Sequence, residues 1–154
     1  MNTQQAMSLL RHQFPEFDNR SAEKTQVRGR NPEHSIDVYD FAMFVTELRE
    51  QADDPQVHAA FDLVEQFLRA GTAEVRGWVC AWIEALQNIA SWRRYGMGAF
   101  TPFLGREIRV LWDGLEKIRC QSLELDVAGY SVLEAEVLAW RFTRERTRAL
   151  ASFA

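Results

Sequence analysis

Residues 53–88 read DDPQVHAAFDLVEQFLRAGTAEVRGWVCAWIEALQN, and this stretch decides the fold. Asp54-Pro55 supplies an N-cap and a proline at the first helical position, where the missing N–H has no intrahelical partner to lose. Val57, Phe61, Val64 and Leu68 then recur at three- and four-residue steps, which places them on one helical face. Gly71 breaks the pattern, as glycine commonly does at a helix C-terminus. Thr72 opens a second helix with Val75, Val79, Trp82, Ile83, Leu86 and Ile89 on its inner side. Two helices of similar length joined at Gly71-Thr72 make an antiparallel hairpin.

Working outward, the same signals recur. Residues 3–13 carry Ala6, Leu9 and Leu10 at helical spacing and stop before Pro15. Residues 18–32 hold few apolar side chains and contain Arg28-Gly29-Arg30-Asn31-Pro32, so a surface loop is expected. A helix is expected after Ser35 as N-cap, running to about Ala52. Downstream, Tyr95-Gly96-Met97-Gly98 reads as a flexible connection. Thr101-Pro102 repeats the cap-plus-proline start before Ile108, Leu111, Trp112, Leu115 and Ile118. A loop is expected over 121–129. Ser131 and Glu134 then form a capping box ahead of Leu133, Val137 and Trp140. Alternation of period two occurs only at Leu123–Val127, too short for a sheet. The hairpin starts at Asp54–Ala60 and Thr72–Arg76 are similar to helix starts in HEAT-type repeats, but a solenoid needs about three repeats. The expectation is an all-α protein, a compact bundle of about five to six amphipathic helices around a central HEAT-like hairpin, in one domain over 1–154.

Composition agrees with a globular chain: 154 residues, 47% hydrophobic and 26% charged, with five tryptophans and ten phenylalanines for a core. Cys80 and Cys120 are far apart, not spaced as a redox or metal pair, so buried thiols in a reducing cytoplasm are expected. The N-terminus lacks a basic-then-apolar signal layout. No apolar run approaches the ~18 residues a span needs, so no membrane role is expected.

Enzyme signatures are missing. Gly96-Met97-Gly98 lacks what a phosphate-cradling loop requires after it. His12, His34 and His58 have no metal-ligand spacing. Glu134 and Glu136 diverge on a helix, whereas Glu65 and Glu84 lie on facing helices and are the one carboxylate pair within reach. No catalysis, cofactor or metal is expected. Nucleic-acid binding needs exposed bases on a recognition helix, and only Arg141, Arg144, Arg146 and Arg148 at the C-terminal end offer any; none is expected.

Charge is unevenly spread. The chain carries −4 overall, yet between Glu33 and Glu65 nine acids face the single base Arg49, a net −8. Such a stretch repels nucleic acid and attracts a basic partner. On the helix from Ile36 to Ala52, Val38, Phe41, Ala42, Val45 and Leu48 form the core stripe. Opposite it, Asp40, Glu47 and Glu50 interleave with Tyr39 and Met43. An aromatic and a methionine among acids either pack beneath the first helix or the 18–32 loop, or face a partner as interface anchors do. The candidate partner-binding residues are Tyr39, Asp40, Met43, Glu47, Glu50, Asp53 and Asp54.

Phe61-Asp62-Leu63-Val64-Glu65-Gln66-Phe67-Leu68, the Gly71 break, Ile83-Glu84-Ala85-Leu86-Gln87-Asn88, and Phe103-Leu104-Gly105 leading to Trp112 add one more pointer. With them the chain resembles small all-helical bacterial proteins found among polymorphic-toxin immunity proteins. The resemblance covers roughly Val38 to Leu115, half the chain, and leaves the arginine-rich C-terminal end outside. It implies neutralisation of a cognate toxin, expected to be basic, by binding and occluding it, with no catalytic residues to carry over. The alternative is a helical scaffold or regulatory subunit acting by helix–helix contact or as a homodimer.

Overall fold

The computed structural model describes residues 1–18 and 37–128, with side chains described as far as Arg119. Helix α1 spans Thr3–Gln13 and is followed by helical residues 15–18. Helices α2 (Val38–Glu50), α3 (Asp54–Ala70) and α4 (Ala73–Ser91) come next. A 3-10 helix, Met97–Phe103, leads into α5, Arg106–Ala128. The described residues contain no strand, so the protein is an all-α helical bundle.

Local chemistry explains most boundaries. α1 starts in a capping box, with the Asn2 side chain accepting from Gln5 N and the Gln5 side chain accepting from Asn2 N. α2 is capped by Asp37, whose carboxylate accepts from Tyr39 N at 2.8 Å, so the helix starts later than a cap at Ser35 implies. α3 is capped by Asp53 rather than Asp54, which moves Pro55 to the second helical position. Thr72 occupies the N-cap of α4, but its hydroxyl makes no capping bond; the Thr72 N–H donates instead to Met1 O at 3.0 Å.

Gly71 does close α3, though in extended backbone that any residue adopts. It must be glycine for space: a Cβ there would sit 2.3 Å from Phe67 O and 2.6 Å from Val75 Cγ1. The helices of the hairpin therefore turn against each other without a spacer.

The core is aromatic. α2 packs most extensively against α4, and Phe14, Phe17, Phe41 and Phe44 interlock there, with Phe41 5.7 Å from Trp82 and 6.0 Å from Trp78. Phe61 meets Trp82 edge-on at 5.4 Å and continues to Phe100 and Phe103. Full burial of side chains this large contributes ~1.5–3 kcal/mol each. α5 joins through Ile108 and Trp112, and Gln87, buried on α4, donates to Trp112 O at 2.9 Å.

Two sequence expectations fail downstream. Thr101-Pro102 lies inside the 3-10 helix, and the long helix begins only at Arg106. Residues 121–128, expected as loop, continue α5, and the alternating Leu123–Val127 is helical. The 19–32 part of the expected loop, the capping box at Ser131 and the Arg141–Arg148 end lie outside the described residues; Asp18 is helical and pairs with Arg11 at 3.3 Å.

Candidate partner-binding surface

α2 presents two unlike sides because its apolar residues repeat at helical spacing. Phe41, Ala42, Phe44, Val45, Thr46 and Leu48 are buried. Tyr39, Asp40, Met43, Glu47 and Glu50 share the remaining edge. Tyr39 is 53% exposed, and Met43 is half-buried and packs against the core. Asp53 and Asp54 lie beyond the helix and serve local structure. Asp53 accepts from Gln56 N at 3.3 Å, and Asp54 sits 3.5 Å from Arg49, whose guanidinium also lies over the Phe103 ring.

The C-terminal end of this edge is tied to the turn after α4. Glu50 Oε1 lies 3.3 Å from Arg93 Nε and accepts from the Tyr95 hydroxyl at 3.3 Å. Burial, with the Glu50 charge and hydrogen bond adding to it, pushes the Tyr95 phenol from 10.0 up to about 12, against smaller opposing effects of Arg93 and Arg49. The phenol thus stays a donor to Glu50 at neutral pH. The Tyr95 ring packs edge-on to Phe100, so the turn is anchored in the core as well. Its first residue, Trp92, is 86% exposed.

The expected approach of Glu65 and Glu84 does not occur. Glu84 is exposed, while Glu65 is buried at the start of α5. Its carboxylate accepts from Glu107 N at 2.9 Å and Ile108 N at 3.0 Å, and pairs with Arg69 at 2.9 Å. Those N–H groups have no intrahelical acceptor, and their partial positive charge favours a carboxylate. Gly105 makes room, since a Cβ there would lie 2.6 Å from Glu65 Oε2. This is structural chemistry: both oxygens are occupied by the chain itself.

The candidate residues read from the sequence include the α2 edge but not the exposed Trp92. Its signal was phase. At about 100° per residue, Trp92 falls roughly 110° from the centre of the α4 apolar stripe and so lies off it. Other candidates stay apart. His12 and His58 are exposed, with the His58 ring 4.6 Å from Phe103, and His34 lies outside the described residues. Cys80 is half-buried rather than buried as expected, and the side chain of Cys120 lies outside the described residues. Among the described residues no group of three or more His, Cys, Asp or Glu is placed to hold a metal ion, and no helix is long and apolar enough to cross a membrane.

No curated protein and no solved structure matches the chain. One family does, over a span that runs from α1 to Arg119 and so takes in the α2 edge, both ends of the Glu65 contact and the Trp92 turn. Residues 7–119 match the Domain of unknown function DUF7674, and the chain belongs to that family.

Proposed function

We propose that the protein is an immunity protein, which binds a cognate bacterial toxin through the acidic edge of α2 and blocks it by occlusion. The observation that carries this reading is Tyr39, an aromatic left 53% exposed among Asp40, Glu47 and Glu50 on a helix whose other side is buried. An apolar anchor within a ring of like charges suits a basic protein surface, because the acids steer the encounter and the anchor resists dissociation. The acidic stretch adds long-range attraction of the same sign.

The test is co-expression with the product of the adjacent gene, read by growth and by binding of the purified proteins. Asp40→Lys with Glu47→Lys should slow association and flatten its salt dependence. Tyr39→Ala should speed dissociation, by ~2 kcal/mol if it is a central anchor. The helix should stay folded, since these side chains lie off the buried stripe. A folded double reversal that protects cells and binds as wild type does would falsify the acidic-edge reading.

A further inference from the structure

We infer that Trp92 is a second anchor of the same surface, inserted into an apolar socket on the basic partner that the α2 edge attracts; this rests on the function proposed above. Tryptophan is highly buried on average, and five-sixths or more of this one faces water. It is not loose. The Trp92 N–H donates to Ile89 O at 3.2 Å, closing α4, and Arg93 N donates to Ala90 O at 3.0 Å. Arg93 and Tyr95 then fasten the turn to Glu50. An aromatic on a turn whose backbone is already fastened loses little backbone freedom on binding, which favours a hot spot.

Position joins it to the first anchor. Tyr39 and Glu50 are eleven residues apart on α2, ~16 Å at 1.5 Å per residue. The Glu50 contacts set the Trp92 turn at that far end. Tyr39 thus lies at one end of the acidic strip and the turn carrying Trp92 adjoins the other, on the scale of the ~800 Å² per partner that a standard interface buries. Charge selects the occupant. Arg93 is neutralised by Glu50, which leaves exposed Arg94 as the turn's own cation at the rim of an acidic strip. The Glu50–Arg93 pair carries no net charge, so a basic partner is attracted by the excess of acids in the 33–65 stretch, against which Arg94 acts.

The experiment measures binding of the purified adjacent-gene product to wild type, Trp92→Ala, Arg94→Glu and the Asp40→Lys/Glu47→Lys pair, with sedimentation of each variant alone. Trp92→Ala should melt like wild type yet dissociate about 30-fold faster, the ~2 kcal/mol hot-spot threshold at about 1.4 kcal/mol per tenfold. Arg94→Glu should speed association. If the acidic reversal weakens binding and Trp92→Ala does not, Trp92 is no anchor while the function stands. If Trp92→Ala weakens binding and the acidic reversal does not, the anchor stands and the acidic-edge reading falls. Slower association by Arg94→Glu would give the socket to an acidic surface and overturn the assignment. A wild-type dimer that Trp92→Ala splits would assign the residue to a second copy instead. No binding of wild type at all overturns both readings together.

Discussion

Trp82 and Trp92 stand ten positions apart along α4, and the same side chain has opposite surroundings. Trp82 is wholly buried between Phe41 and Phe61, and its indole N–H has no acceptor among the described residues. Trp92 closes the helix with its ring in water. At Trp92 the ring is 86% exposed, so little of its area enters the packing of the described residues. The same residue type is thus core in one place and surface in the other, with Trp92 off the apolar stripe to which Trp82 belongs.

The comparison breaks most readily at Trp82. Trp82→Ala should cost about 3–5 kcal/mol in urea denaturation, as deletion of a fully buried aromatic does. Trp92→Ala should stay within about 0.5 kcal/mol of wild type, in the range of surface substitutions. Equal effects at the two sites would mean that exposure does not separate their roles.

Two glutamates repeat the division inside the acidic stretch. Glu65 is turned inward and holds α5, whereas Glu50 lies on the edge and holds a surface turn. Glu65→Ala strands the Ile108 and Glu107 N–H groups and is expected to cost about 2–4 kcal/mol. Gly105→Ala should cost less, about 1–2 kcal/mol, by pushing the same carboxylate off its donors. Because both act through one contact, the double variant should cost less than the two singles added, which a denaturation cycle measures. Full additivity would detach Gly105 from Glu65.

What the sequence made legible follows from range. Caps, apolar steps and the hairpin break are local signals, and they placed α1, α2, α3 and α4 within a few residues. The start of α5 was misplaced to Thr101-Pro102 because its true cap, Glu65, lies about forty positions upstream and no local pattern announces it. Gly71 was located from its place at the end of a helical pattern, but the constraint that requires glycine there, the closeness of Val75 and Phe67 O, is visible only in the fold. The candidate surface divided likewise. Tyr39 and its acids were readable from one helix, but the Glu50–Arg93–Tyr95 contacts join residues more than forty positions apart and brought Trp92 to the same edge unannounced.

The smallest expected effect tests that junction. Tyr95 should ionise with a midpoint of about 12, read from the phenolate absorbance of wild type minus Tyr95→Phe. Its ordinary value of 10.0 applies in the unfolded chain, so between 10 and 12 the unfolded state holds fewer protons than the folded one. The stability that the contact contributes is therefore complete below pH 10 and is lost as pH rises through about 12. Glu50→Gln should bring the midpoint down, yet leave it above 10 because burial is the largest cause. The same variant should cost less than ~1 kcal/mol at neutral pH, since partly exposed ion pairs contribute little. A wild-type midpoint at 10 would mean that Tyr95 is not held on Glu50. The turn carrying Trp92 would then lose an attachment to α2, and the two aromatic anchors would no longer belong to one surface.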